Sequence, residues 1–225
     1  MVIVYVLAEG QTEESFIKNV VAPSLSYSEI YLTPKLMSTS SSGKGGAISH
    51  QRLVRNAKNL LAQQNNTYVT TFLDYYQLDS SFPGFDQLKT KNGIYNKIAH
   101  LETSLHAQLT QEIGCRPERF IPHIQPHEFE ALVFSDVSKF SDVEPDWINC
   151  VSELEKVRGQ YENPEYINNS FETAPSKRLE SLLVPKYRKT RHGPLLAQEI
   201  TLEVIERECP HFKEWMDKLR ALKDL

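Results

Sequence analysis

The sequence predicts an α/β fold: a mostly parallel sheet of about four strands flanked by helices, with a helical annex at the C-terminal end. Three observations predict it. Short apolar runs rich in β-branched residues alternate with longer segments of helical periodicity, which implies parallel pairing with right-handed crossovers. Acidic residues follow directly on two of those runs, where functional groups of such sheets collect. The 225 residues, 40% of them hydrophobic, suffice for a full core, and no Pro/Gly/Ser-rich linker is long enough to separate a second core from the first. We therefore read residues 1–225 as one domain, with an α/β core over 1–136 and a mostly helical region over 137–225 packed on it.

The elements follow in order. Val2 to Leu7 is a buried strand, Glu9-Gly10 a tight turn, and Thr12-Glu13-Glu14-Ser15 the polar opening of a helix. That helix carries Phe16, Val20 and Val21 at helical spacing and is expected to stop near Pro23. Tyr31 to Met37 reads as a second strand, placed at an edge by Pro34. After a Ser/Gly loop over 38–46, Ile48, Leu53, Leu60 and Leu61 suggest another helix. Tyr68 to Leu73 is the best interior strand, ending on Asp74. Ile94, Ile98, Leu101, Leu105, Leu109 and Ile113 recur at steps of three or four and predict a long amphipathic helix. Phe120 to Ile124 is read as a fourth short strand, Glu128 to Phe134 as the start of a helix, and the rest from Trp147 as helical apart from a basic loop between Pro185 and Pro194.

Several function classes fall away. The N-terminal apolar run lacks the basic start and cleavage site of a signal peptide, and no apolar stretch approaches the roughly 20 residues of a membrane span. Cys115, Cys150 and Cys209 are far apart and form no Cys-x-x-Cys pair, which argues against a disulfide framework or thiolate zinc and fits a reducing, cytoplasmic setting. Gly43-Lys44-Gly45-Gly46 lacks P-loop spacing, so ATP hydrolysis is not expected, although Lys44 could touch substrate phosphates from that loop. His127-Glu128-Phe129-Glu130-Ala131 begins like a zincin but puts Ala131 where the second histidine must stand. A haloacid-type phosphatase needs an aspartate where Tyr76 stands. His123 and His127 read as structural histidines.

What remains is acid chemistry at strand ends. A carboxylate there is desolvated unless it is hydrogen-bonded, paired or metal-bound, and converging carboxylates repel one another without a cation. Mg²⁺ or Mn²⁺ resolves the conflict, since a hard ion takes carboxylate oxygens, water and substrate phosphate. Glu9 and Asp74 are the candidates read from position alone. The plain alternatives are a helix-dipole charge for Glu9, Glu13 and Glu14, and a turn cap for Asp74. Net charge is −4, so nucleic-acid binding would need a local basic surface. Lys177, Arg178, Lys186, Arg188 and Arg191, with Lys189 among them, supply one; a solvated helix face is the alternative.

The succession strand-Glu9-Gly10-Gln11-Thr12-Glu13, strand-Asp74, Pro126-His127-Glu128-Phe129-Glu130-Ala131-Leu132 and Tyr187-Arg188-Lys189 resembles toprim proteins of the OLD and RloB kind. It is similar in particular to small bacterial toprim-like proteins that accompany ABC-type ATPases in phage-defence gene pairs, and the likeness extends to Cys209-Pro210-His211-Phe212 and Trp215. The resemblance implies a toprim core and a Mg²⁺- or Mn²⁺-dependent nuclease acting on DNA or RNA, with an AAA/ABC-type ATPase as partner. It implies Glu9, Glu13, Asp74 and Glu130 as metal ligands, Glu128 being the alternative to Glu130, and Lys189 as the group facing a scissile phosphate. Tyr76 departs from the second acid of the toprim Asp-x-Asp, and the next carboxylate is Asp79. A non-catalytic module that binds an ATPase or a phage component is the rival expectation.

Overall fold

The computed structural model describes residues 1–37, 48–62, 66–168 and 170–225. Lys44 and its glycine-rich loop lie outside them. Five strands form one parallel sheet: β1 (Val2–Ala8), β2 (Ile30–Leu36), β3 (Thr67–Asp74), β4 (Phe120–Ile121) and β5 (Ile124–Gln125). The order is β2-β1-β3-β4, with β5 also pairing β3. Pro34 does lie on the edge strand β2, opposite Val6. The expected single strand over 120–124 is instead split into a pair, because Pro122 has no N–H for the ladder; β4 pairs Val69 and Thr70, and β5 pairs Leu73 and Asp74.

Strand alternation divides the core between two faces. Val4 and Val6 of β1 and Tyr68 and Phe72 of β3 join one apolar cluster, whereas Leu7, Val69 and Leu73 join the other. The second cluster is closed by α3 (His50–Leu61) and α4 (Ile94–Ile113). The first is closed by α1 (Gln11–Phe16) and α2 (Ala22–Ser26), and also by the C-terminal helices through Leu196, Ile200, Phe212, Trp215, Met216 and Leu219. Those helices include α5 (Glu130–Val133), α6 (Phe140–Val143), α7 (Val151–Arg158), α8 (Pro175–Leu182), α9 (Lys189–Ile200), α10 (Leu202–Glu208) and α11 (Pro210–Arg220). Residues 137–225 thus share one layer of the sheet's cover with α1 and α2.

Two proline positions differ from expectation. The first helix does not stop near Pro23. A π-helical turn, Ile17–Val21, widens it, and Pro23 then sits in the first turn of α2, where its missing N–H costs no bond. Nor is the stretch up to Pro194 a loop, since α9 begins at Lys189 and carries Pro194 within it. The carbonyl that Pro194 leaves without an intrahelical donor belongs to Thr190, an exposed residue. Among the described residues no helix is long and apolar enough to cross a membrane.

Candidate active site

β1 and β3 run side by side, with Ala8 opposite Phe72, so Glu9 and Asp74 leave the sheet at the same edge. Gly10 then turns the chain into α1. A Cβ at Gly10 would lie 2.9 Å from Glu13 Oε2, so glycine leaves room for the Glu13 carboxylate to fold back over the turn. From β5 the chain passes through His127, at φ 61°, to α5 and Glu130. This passage is tied to the end of β3: Tyr76 N donates to His127 O at 3.1 Å, and Phe129 N to Asp74 Oδ1 at 2.9 Å. The first turn of α9 brings Lys189 over the same spot.

The lysine ammonium sits between three carboxylates, at 3.5 Å from Glu13 Oε1, 3.4 Å from Asp74 Oδ2 and 3.2 Å from Glu130 Oε2. Asp74 is 1% exposed, Glu13 2% and Glu130 0%, while 39% of the Lys189 side chain is accessible. Tyr187 OH, itself buried, donates to the other Glu130 oxygen at 3.3 Å. Glu9 Oε2, Glu13 Oε1 and Glu130 Oε2 are buried without a directed hydrogen bond. For the latter two, Lys189 supplies charge but not a complete set of donors.

Burial dominates the protonation of the cluster. It pushes Glu9 up to about 7, with Glu13 adding repulsion and Lys189 opposing. Glu130 is likewise raised to about 7 by burial, against the pull of Lys189. Asp74 is raised well above its ordinary range by burial, again with Lys189 opposing. Burial would lower Lys189, but Asp74, Glu130 and Glu13 outweigh it and raise the ammonium's pKa. Burial thus makes Glu9, Asp74 and Glu130 hold a proton more readily than free carboxyl groups do.

All five acid-site residues, Glu9, Glu13, Asp74, Glu130 and Lys189, therefore come together. Glu128 turns away: its carboxylate accepts from Ser176 N and from Ser176 Oγ at the start of α8. Asp79 caps a turn, accepting from Ser81 N at 2.8 Å, and Tyr76 packs its ring on His127. The basic group divides. Lys186, Arg188 and Arg191 are exposed and flank Lys189 in the chain. Lys177 is exposed and paired with Glu180 at 3.0 Å on α8, and Arg178 bonds Thr173 O and Tyr161 OH, both at 2.8 Å. Tyr187 was visible only as a neighbour of Lys189; its hydrogen bond to Glu130 is the role that sequence reading missed.

The donor set fits a hard divalent ion: oxygen ligands from Glu9, Glu13, Asp74 and Glu130, three of them with an oxygen lacking a donor. The oxygens are spread around the lysine. Among the described residues, the group of three whose ligand atoms all lie within 4.8 Å of one another is a different one, the buried triad Glu102, His123 and His211.

No curated protein matches the chain. Among solved structures, the C-terminal region of the OLD protein of Xanthomonas campestris pv. campestris aligns over 96% of this chain and 93% of its own, with a TM-score of 0.42 and 14% identity. A family model, "Domain of unknown function (DUF4276)", matches residues 8–220, and the chain belongs to that family.

Proposed function

We propose that this protein is a Mg²⁺- or Mn²⁺-dependent nuclease of the toprim type, hydrolysing phosphodiester bonds of DNA or RNA, and that it serves as effector of a phage-defence pair with an ATPase. The observation that carries the reading is the convergence of Glu9, Glu13, Asp74 and Glu130 from three chain segments onto one spot with Lys189, with three buried carboxylate oxygens lacking hydrogen bonds. Such oxygens are costly to bury unless a cation uses them. A bound ion would supply phosphate polarisation and a water acidic enough to attack.

The remaining roles belong to the chain. Asp74, fixed by the Phe129 N–H, and Glu130, fixed by Tyr187, hold their second oxygens toward the centre. Glu9, half-buried beside Glu13 and Lys189, would complete the oxygen set that holds the ion. Lys189 faces the same point and would meet a phosphate oxygen as charge develops on it. Lys186, Arg188 and Arg191, which flank it in the chain, would hold neighbouring phosphates.

One observation favours a second reading, a non-catalytic module that binds an ATPase or a phage component: Lys189 already neutralises some of the cluster's charge. Cleavage assays separate the two readings. Wild-type protein in Mn²⁺, alone and together with a candidate ABC-type ATPase partner, is expected to cut plasmid DNA or single-stranded RNA. Asp74→Asn, which keeps an acceptor for Phe129 N, should abolish cutting and leave the thermal unfolding midpoint near that of wild type. Cleavage that survives EDTA or Asp74→Asn would overturn the assignment, and stoichiometric Mn²⁺ binding without cleavage of any substrate would establish the binding module.

A further inference from the structure

A second group of ligating side chains lies apart from the acidic cluster and shares no residue with it. Glu102 comes from the middle of α4, His123 from the link between β4 and β5, and His211 from the first turn of α11. All three are buried, at 8%, 1% and 8% exposure. His211 Nε2 is 2.9 Å from Glu102 Oε1, and His123 Nδ1 is 3.9 Å from the same oxygen.

The hydrogen bonds behind the triad fix what His123 presents to it. Glu165 accepts from His211 N at 2.9 Å, Phe212 N at 3.0 Å and Tyr95 OH at 2.9 Å, as a carboxylate does. Gln125 Nε2 donates to Glu165 Oε1 at 3.5 Å, so the amide oxygen of Gln125 faces the other way, 3.4 Å from His123 Nε2. That oxygen can only accept, which makes Nε2 the protonated nitrogen and leaves Nδ1 with a lone pair. The lone pair looks toward the Glu102 carboxylate. The ring is packed against Trp215, with centroids 4.8 Å apart, and against His211, 5.1 Å apart, which restrains it. Glu102 Oε1 is fixed in turn by the Ile124 N–H at 2.8 Å.

Glu102 Oε1 is shared between His211 Nε2 at 2.9 Å and the Ile124 N–H, with His123 Nδ1 3.9 Å away, and a cation in place of the His211 proton would use all three side chains. Ligands about 2.0–2.2 Å from a tetrahedral ion lie about 3.4 Å from one another. The 2.9 and 3.9 Å separations straddle that value. We propose that Glu102, His123 Nδ1 and His211 Nε2 form a binding site for one borderline divalent ion, of which Zn²⁺ is the type. Two imidazole nitrogens and one carboxylate suit such an ion better than Mg²⁺, which prefers oxygen alone. Glu102 and His211 also line a cleft of about 750 Å³ together with Tyr95, His106, Phe120 and Glu214, which offers an ion access from solvent. Gln125 and Glu165 act as the outer partners that orient a ligating histidine.

The test uses Zn²⁺ and Co²⁺ on the full chain carrying Asp74→Asn, Glu9→Gln and Glu130→Gln, which leaves the acidic cluster with Glu13 alone. One equivalent of Zn²⁺ should bind by calorimetry, and Co²⁺ should give the visible absorption of a four- or five-coordinate nitrogen/oxygen site. Glu102→Gln, close to isosteric, should weaken binding at least 100-fold, and Gln125→Met about 10–100-fold; circular dichroism identifies variants that still fold. Absence of Zn²⁺ binding to the folded triple variant would overturn the proposal, leaving the triad a hydrogen-bonded pair that shares a proton. Binding of unchanged affinity in folded Glu102→Gln would overturn it as well. Either outcome would leave the nuclease reading untouched, since that reading is tested by Mn²⁺-dependent cleavage.

Discussion

Replacing Lys189 by Met removes the positive charge from the middle of the acidic cluster, and the cost is expected to depend on pH. Each of the ion contacts, at 3.2, 3.4 and 3.5 Å, has a gross attraction of about 5 kcal/mol at an effective dielectric constant of 20. Desolvation of the ammonium offsets much of this. Removing one partner of a fully buried pair costs about 3–5 kcal/mol. Here 39% of the lysine side chain is accessible, so screening reduces the expected loss to about 1–3 kcal/mol at pH 8. The sign with pH follows from the acids. Glu9 and Glu130 are raised from 4.5 to about 7, so between those values the folded chain binds more protons than the unfolded one. Metal-free protein therefore loses stability as pH rises through that window, by up to about 3 kcal/mol for one uncoupled group. Lys189 lowers both pKa values and is worth most once the acids are ionised. At pH 5 they are largely neutral, and Lys189→Met should cost less than about 1 kcal/mol. Urea unfolding in EDTA at pH 5 and pH 8 measures the difference. An equal loss at both values, or a larger one at pH 5, would refute the view that Lys189 is held there by ionised carboxylates.

Gly193→Ala should destabilise by about 1–3 kcal/mol, because a Cβ there would stand 2.9 Å from Phe129 Cε1, 3.0 Å from Tyr187 OH and 3.1 Å from Thr12 Cγ2; thermal unfolding checks it. Glu165→Gln should cost about 2–3 kcal/mol in urea titrations, since it turns an amide N–H toward donors from α11 and Tyr95. Changing Lys186, Arg188 and Arg191 together to Gln should flatten the salt dependence of nucleic-acid binding by about 0.9 log unit per lost phosphate contact, as read by fluorescence anisotropy. Changing Lys177 and Arg178 should leave that slope unaltered.

The features of the fold that local pattern governs were legible. Alternating strands and helices, the edge position of Pro34 and the long amphipathic α4 all follow from neighbours in sequence. Glu9 and Asp74 could be placed from position because a strand end locates its next residue. Glu13, Glu130 and Lys189 needed the family resemblance, since nothing local says that α5 and α9 open onto the same edge of the sheet. The choice between Glu128 and Glu130 turned on Ser176, a partner remote in sequence. Pro23 misled because a π turn makes room for it, and Pro194 because the carbonyl it leaves free belongs to an exposed residue. The histidine triad was out of reach for the same reason as Glu165. His123 was weighed only against His127, whereas Glu102 and His211 lie far from it along the chain and meet it through the packing of α4 and α11 on the sheet.

The place of Lys189 in the chain also sets the order in which the acidic cluster can assemble. Ribosomal synthesis delivers β1 and Glu9 first, β3 and Asp74 next, then Glu130, and the neutralising lysine only after most of the chain has emerged. Until α9 docks on α1, these acids lack their lysine counter-ion, and burying them together would be costly. Docking delivers that counter-ion. The sheet can therefore form early without strain, and the acidic centre matures last, as a consequence of closing the helical layer over it.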